Sequence, residues 1–182
     1  MSPDAASTLE SPLRAWLASV CAGIAGLGLL SLRPDLERDL FAQGAARVAG
    51  FLTGAPVFPV DGGWQLPLAG GPVVVTADCS GTDFFLLGAV LMTRLLLRRG
   101  ARVWLAVPGG LFAAVPFTLG VNGLRVVAVL QLHHWVLPHL PPVYGPFLHL
   151  VVGTAVFLPC LILLHLASEH HARPRFARPR SR

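Results

Sequence analysis

The feature that most constrains this chain is a set of long apolar runs with almost no charged residues. Four of them are candidates to cross a bilayer as helices, at residues 13–32, 82–97, 103–121 and 147–167. Only 13% of the 182 residues are charged, whereas soluble domains carry about 25%. We therefore predict an all-α integral membrane protein with about four transmembrane helices, in a single membrane domain covering residues 1–182.

Three segments between these runs have other patterns. Residues 35–52 place apolar side chains at near-helical spacing with charge on the other side, which predicts an interfacial helix. Residues 53–77 hold short β-prone pieces separated by glycine and proline, which predicts a small β-hairpin-like segment outside the membrane. Residues 124–137 are short for a span and are interpreted as interfacial or re-entrant.

The arginines predict the orientation. One cluster lies at residues 98–102 and another in the basic tail, residues 168–182, and both should be cytoplasmic because short cytoplasmic loops are enriched in Arg and Lys. Residues 33–78 then form an extracytoplasmic segment. The arginines do not form one patch, so we do not expect a nucleic-acid partner despite the basic charge.

The most informative short motif is Asp78-Cys79-Ser80-Gly81, at the mouth of the second apolar run. Cys79 follows a β-prone stretch and precedes a helix, whose positive end favours a thiolate. Ser80 and Thr82 are both candidates to cap that helix. The alternative is an inert buried cysteine. Two further cysteines lie in mid-span and are predicted to be inert: Cys21 and Cys160.

Two polar side chains at the ends of later apolar runs complete a candidate site. No Asp or Glu occurs from Phe84 to Ser168, so Arg125 has no acidic partner in its own segment. Asp78, Asp83, backbone carbonyls or a substrate remain as partners, and the alternative is an arginine that snorkels to the interface. His149 opens the last run, and the alternative is a histidine with its ring in water.

Three other histidines raise the question of a metal: His133, His134 and His139. The first two are adjacent, so they do not share a face of a helix. We predict no metal site and no cofactor. A thiol, an imidazole and a guanidinium at one membrane surface instead supply a nucleophile, a proton carrier and a holder of negative charge for acyl transfer.

Three stretches occur in the order Ala77–Gly81, Asn122–Val126 and His149–Gly153. They resemble the exosortase/archaeosortase family of multispanning membrane transpeptidases, whose pattern is Cys-Ser-Gly, then Asn-x-x-Arg, then His-x-x-x-Gly. The resemblance covers roughly residues 52–166. Many relatives have eight spans, so this chain is similar to a short member, such as the exosortase K type.

The resemblance implies a role for each matching residue. Cys79 would be the nucleophile, Arg125 would stabilise the oxyanion or the thiolate, and His149 would carry protons. Five residues would bind substrate or support the site: Asp78, Ser80, Gly81, Asp83 and Asn122.

The same resemblance implies a protease and transpeptidase of the bacterial inner (cytoplasmic) membrane, active on the extracytoplasmic side. Its substrates would be exported proteins that end in a short motif, a transmembrane helix and a basic tail. The acyl group would pass through a thioester to an amine on a lipid or glycan anchor. Two alternatives stay open: a different thiol-dependent membrane acyltransferase or protease, and a non-enzymatic membrane scaffold or accessory protein.

Overall fold

The structure, a computed structural model, describes residues 3–33, 35–68, 71–136, 139 and 141–170. The described part of the chain is mostly helical and carries one small sheet. The α-helices are α1 (Pro3–Leu32), α2 (Gln43–Thr53), α3 (Thr82–Arg98), α4 (Val103–Trp135) and α5 (Gly145–His170). A π-helical turn, Glu37–Ala42, precedes α2, and 3-10 turns lie at Ala77–Cys79 and Pro142–Tyr144. The predicted basic tail lies outside the described residues from position 171 onward.

Four of the described helices, α1, α3, α4 and α5, are long and apolar enough to cross a membrane. This confirms the predicted number of apolar helices, and it indicates a membrane protein. Side chains on α5 are largely uncovered by the rest of the chain, and its apolar window is only 11% buried. An apolar surface of this kind is stable where lipid, rather than water, covers it.

The predicted break after the third apolar run is wrong. Residues 124–137 do not form a separate interfacial or re-entrant segment, because α4 continues through them to Trp135. At about 1.5 Å per residue, α4 is about 50 Å long, well beyond the roughly 30 Å of a hydrocarbon core. Gly123 allows close packing at this point of α4, since a Cβ there would overlap Val48 of α2.

The β-prone segment forms three strands rather than a single hairpin. Strands β1 (Phe58–Val60), β2 (Gly63–Leu68) and β3 (Gly71–Thr76) are antiparallel in the order β1-β2-β3. The register pairs Pro59 with Trp64 and Leu66 with Val73. Leu66 and Val75 are buried, so one face of the sheet belongs to a core. The predicted β segment is therefore present as a three-stranded sheet in an otherwise helical fold.

The segment predicted as an interfacial helix is the π-turn followed by α2, and it packs on protein. Four alanines of this segment are fully buried against the sheet and against Val126 and Leu130 of α4. We call this core the apolar cap; its buried members are Ala42, Ala45, Ala46, Ala49, Leu66, Val75, Val126 and Leu130. The cap explains why α4 stays helical beyond Val121, because that extension buries an apolar face.

The long helices run alternately up and down. Glu169 near the end of α5 lies 2.7 Å from Arg98 at the end of α3, while Asn122 of α4 reaches the residues just before α3. The loop after Arg98 and the end of α5 therefore share one end of the bundle, which we call the arginine end. The apolar cap and the start of α3 lie at the opposite end, which we call the cap end.

Candidate functional site

The Cys79 motif forms a tight turn between β3 and α3. The backbone is extended at Thr76 and then enters the 3-10 turn, in which the Ser80 N–H donates to the Ala77 carbonyl at 2.9 Å. Gly81 has a φ of +73°, a left-handed conformation that glycine adopts without steric cost. This sequence of conformations reverses the chain and delivers it into the first turn of α3 at the cap end.

The expected side-chain cap of α3 is absent from the described structure. Gly81 occupies the cap position and no side chain bonds to the first turn; the Ser80 hydroxyl instead donates to Thr82 Oγ1 at 3.4 Å. The prediction that Ser80 or Thr82 caps the helix is therefore wrong. Gly81, in its left-handed conformation, therefore begins the helix without a side-chain hydroxyl as its cap.

A cavity of about 570 Å³ opens beside this turn. The π-turn, the Cys79 motif, α3, α4 and α5 all contribute to its wall. Its polar lining is concentrated near the cap end, and its apolar lining follows α3 and α5 toward the arginine end. The lining residues are Glu37, Ala77, Asp78, Ser80, Gly81, Thr82, Asp83, Phe84, Leu87, Arg125, His149, Leu150, Gly153, Thr154, Phe157, Leu158 and Leu161.

Six of the eight residues singled out from the sequence line this cavity. They come from three separate parts of the chain: Asp78, Ser80, Gly81, Asp83, Arg125 and His149. Cys79 and Asn122 are not among the lining residues. The fold thus brings the guanidinium and the imidazole to one space, next to the backbone of the cysteine.

The thiol of Cys79 is directed elsewhere. Its side chain is half-buried and packs against the apolar cap. The Thr76 hydroxyl lies 4.0 Å from Sγ, at the outer limit for a bond to sulfur. Both chain neighbours of Cys79, Asp78 and Ser80, line the cavity, whereas Cys79 itself does not.

Arg125 is held between α4 and α5 without a carboxylate. Its guanidinium carbon lies 5.3 Å from the ring centre of Phe157, and a Cβ at Gly153 would lie 3.2 Å from its Nε. No ion pair of Arg125 is found among the described residues, and Asp78 and Asp83 line the same cavity. A cation–π contact contributes about 0.5–2 kcal/mol, so the charge remains available to an anion in the cavity.

An aromatic stack supports that guanidinium. Phe157 stacks on Phe84 with ring centres 4.5 Å apart, and Phe84 stacks on Phe117 at 5.5 Å. The three rings come from α5, α3 and α4 in turn. Offset aromatic pairs add about 0.5–1.5 kcal/mol beyond their buried area, so the stack fixes the helix spacing beneath Arg125.

His149 lies on the first turns of α5 and is half-buried in the cavity wall. Gly153 follows one turn later on the same face, where it makes room for Arg125. The spacing between the histidine and the glycine therefore has a geometric meaning. His149 supplies the imidazole. Gly153 leaves the space that lets the guanidinium of Arg125, on the neighbouring helix, approach α5.

Asn122 contacts the motif from α4, outside the cavity. Its Nδ2 donates to the carbonyl oxygens of Cys79, at 2.5 Å, and of Ser80, at 2.9 Å. The side chain is fully buried, and its Oδ1 has no partner among the described residues. Asn122 therefore ties the cysteine turn to the helix that carries Arg125.

Sequence reasoning missed one charged residue of the site. Glu37, at the start of the π-turn, lines the cavity together with residues of the Cys79 motif. The only signal for it was an acidic residue in a chain with few of them, on the segment before the sheet. Its placement depends on contact between the π-turn and the 3-10 turn, which no local pattern reveals.

The remaining candidates lie apart from the cavity. Cys21 is exposed on α1 and Cys160 is half-buried on α5, and neither lines the cavity. His134 is exposed and contacts Trp135 edge to face. His139 is also exposed, while the side chain of His133 lies outside the described residues. Within the described ranges, no group of three His, Cys, Asp or Glu residues could hold a metal ion.

Comparisons with protein-family models, with curated proteins and with solved structures find no match to this chain. The class that the fold and the site define is therefore a coarse one: a small helical protein with four helices suited to a membrane, and a polar cavity at one end of the bundle. Any finer function has to be argued from the side chains in that cavity.

Proposed function

We propose that this chain is a membrane cysteine transpeptidase that resembles the exosortase/archaeosortase family. One observation carries the proposal. Arg125 and His149, which are far apart in sequence, line one cavity together with Asp78 and Ser80, the two residues that flank Cys79. A nucleophile, a proton carrier and a holder of negative charge are the groups that acyl transfer through a thioester needs.

In the first half-reaction, the Cys79 thiolate attacks the carbonyl carbon of the scissile peptide bond. A C–S bond forms, the carbonyl oxygen becomes an oxyanion, and Arg125 stabilises that charge. The C–N bond then breaks, and His149 gives a proton to the leaving amine. The thiol has to turn from the apolar cap toward the cavity before this step, because Cys79 is the one member of the set whose side chain lies outside it.

In the second half-reaction, an amine attacks the thioester carbonyl. A new C–N bond forms, the C–S bond breaks, and the amine's proton passes to His149, which returns the site to its starting state. Water in place of the amine would make the protein a hydrolase. Both reactions use the same three side chains, and the acceptor is what distinguishes them.

The substrates we propose are exported proteins that end in a short motif, an apolar helix and an arginine cluster. The apolar part of the cavity supports this class. It follows Leu87 of α3 and Leu158 and Leu161 of α5 away from the polar mouth. An apolar helix in the membrane would lie along that face and place the motif before it at the level of Arg125 and His149.

We place the protein in the inner (cytoplasmic) membrane of a bacterium, with the cap end extracytoplasmic. The arginine end carries Arg98, Arg99 and Arg102, which favours a cytoplasmic position for that end. The cap end, with the sheet and the cavity mouth, would then face the side on which exported proteins arrive.

The test is to trap the acyl-enzyme. The chain is produced with an exported protein that carries the proposed sorting signal, and the peptide that contains Cys79 is analysed by mass spectrometry. We expect wild type to process the substrate and to carry an acyl group on Cys79. Cys79→Ala should abolish processing, whereas Cys21→Ala and Cys160→Ala should stay within about twofold of wild type. Processing by Cys79→Ala would contradict the nucleophile assignment.

One observation favours a second function. In the structure, the Cys79 thiol packs on the apolar cap while the cavity holds Arg125 and His149 without it. A non-enzymatic accessory protein that binds an anionic group in this cavity would need no thiol. Under that alternative, Cys79→Ala binds the substrate as wild type does. Neither the wild-type chain nor the variant then gains the mass of an acyl group.

A further inference from the structure

The turn that carries Cys79 is secured by one buried amide. Asn122 donates both of its N–H groups, one to the carbonyl of Cys79 and one to that of Ser80. Both carbonyls lie just before α3. A single side chain therefore satisfies two successive backbone acceptors on either side of the Cys79–Ser80 step.

The same amide leaves its own oxygen unsatisfied. Asn122 is fully buried, and Oδ1 has no hydrogen-bond partner in the described part of the chain. A buried acceptor without a partner destabilises a protein. The two bonds made by Nδ2 are what offset that cost, so the amide is placed for its donors.

Gly81 is shaped to fit this amide. A Cβ at Gly81 would lie 3.0 Å from the Asn122 amide carbon and 3.2 Å from its nitrogen and oxygen. The φ of +73° also favours glycine. The turn and the amide therefore pack against each other at closer range than an alanine would allow.

Asn122 and Arg125 are three residues apart on α4, so they lie on neighbouring parts of one helical face. The turn is thus tied to the helix that carries the guanidinium. A shift of the turn relative to α4 would change the distance between the cysteine backbone and Arg125.

We propose that Asn122 is a positioning residue that fixes the Cys79–Ser80 turn relative to Arg125 and thereby sets how the thiol is presented. The role of the thiol rests on the proposed transpeptidase function, but the fixing of the turn does not. With the turn secured, Cys79 reaches the cavity by a change of rotamer alone. Without it, the turn and the thiol move together.

The experiment compares Asn122→Leu and Asn122→Ala with a matched control, Thr118→Val. Thr118 lies one turn earlier on α4, is also fully buried, and also has a polar atom without a partner among the described residues. It does not contact the Cys79 turn through any hydrogen bond in the described structure. All variants keep the full chain and all three cysteines, and each protein is first checked for membrane insertion and melting temperature.

The first measurement is the rate at which N-ethylmaleimide modifies each cysteine, resolved by mass spectrometry. We expect both Asn122 variants to raise the rate at Cys79 at least about tenfold, the factor expected for the loss of one or two hydrogen bonds. Cys160 should react as in wild type. An unchanged rate at Cys160 distinguishes local release of the Cys79 turn from general loosening of the protein. Thr118→Val should leave both rates within about threefold.

The second measurement is processing of a sorting-signal substrate. Positioning predicts that kcat falls at least about tenfold in the Asn122 variants while KM stays within about twofold, since the cavity walls formed by α3, α4 and α5 are unchanged. Unchanged Cys79 reactivity in an inserted Asn122 variant would overturn the proposal, as would a parallel rise at Cys160 or an equal effect of Thr118→Val. If Cys79→Ala still processes substrate while the Asn122 variants raise Cys79 reactivity, the transpeptidase function fails and the fixing of the turn stands.

Discussion

Arg125 carries the strongest single argument for chemistry in this molecule. Its guanidinium has an aromatic face at 5.3 Å and no carboxylate at ion-pair distance among the described residues. A cation–π contact contributes only about 0.5–2 kcal/mol, so a guanidinium without a carboxylate is better stabilised if the cavity also admits water or an anion.

Replacing Arg125 by lysine tests whether a positive charge is enough or whether the planar set of N–H donors of the guanidinium is required. We expect Arg125→Lys to lower turnover at least about a hundredfold, as loss of an oxyanion donor does, because an ammonium offers only a compact point charge. The measurement is substrate processing at equal membrane content. Arg99→Lys, at an exposed position at the arginine end, is the control. An active Arg125→Lys protein would indicate an arginine that only snorkels.

His149 is expected to move protons in both half-reactions. His149→Gln keeps a polar side chain of similar reach but cannot act as an acid and a base, so turnover should fall by about 10²- to 10⁴-fold. Acyl-enzyme on Cys79 is quantified in the same samples by mass spectrometry. It accumulates if His149 serves mainly the second half-reaction.

The matched control is His134→Gln, since His134 is exposed on α4 and does not line the cavity. It should process substrate as wild type does. Wild-type turnover in His149→Gln would remove this histidine from the site.

At the scale of the helices, the approach of α4 to α5 depends on Gly153. An added Cβ would lie 3.2 Å from Arg125 Nε, closer than ordinary contact, so the guanidinium would have to move by a few tenths of an ångström. We expect Gly153→Ala to lower kcat about tenfold, scaled on the roughly hundredfold effect of a 1 Å displacement.

Gly120→Ala is the control for that substitution. Gly120 is also helical, but a Cβ there meets no atom of the described residues within 4 Å. Both changes add the same helix propensity, so only the contact with Arg125 distinguishes them. Equal kcat values for the two variants would show that the space beside Arg125 is not critical.

The sequence predicted the apolar helices well and their continuation poorly. Runs of apolar residues located α1, α3, α4 and α5 because hydrophobic length is a local property. The break predicted after Val121 is wrong, since Gly123 serves close packing on Val48 and Val126 is buried in the apolar cap. The short length of residues 124–137 is a local property, and these tertiary contacts override it.

The residues that line the cavity were predictable in part. Motif order pointed to Arg125 and His149, which do share a cavity. The sequence did not reveal that the Cys79 side chain turns toward the apolar cap, because a rotamer is decided by neighbours from α2 and the sheet. Glu37 was missed for the same reason: its place in the cavity wall follows from packing of the π-turn.

At the scale of the whole molecule, the two ends of the bundle differ in charge and in structure. The arginine end joins α3 to α5 through Glu169, which lies 2.7 Å from Arg98 and 3.5 Å from Arg94. Both partners are partly exposed, and such pairs contribute only about 0–1 kcal/mol. The end is therefore defined more by its arginines than by this pair, while the cap end is defined by a buried core and the cavity.

This asymmetry predicts the orientation in a membrane. Reporter fusions at Gly100 and after His170 should read as cytoplasmic, and fusions at Gly62 and Pro141 as extracytoplasmic. The continuous helix α4 makes this a sharp test. It leads from Val103 at the arginine end to Trp135 beyond the cavity, so positions on its two sides must report opposite faces.

Two controls separate orientation from misfolding. Each fusion is made with two reporters, one active only in the cytoplasm and one active only outside it, so that every position gives one positive signal. Replacing Arg98, Arg99 and Arg102 by glutamine should weaken the preference for one orientation in the membrane, if arginines set that orientation. A cytoplasmic signal at Pro141, together with one at Gly100, would mean that α4 does not cross the membrane. Arg125 and His149 would then not face exported substrates, and the transpeptidase proposal would fail at the level of the whole molecule.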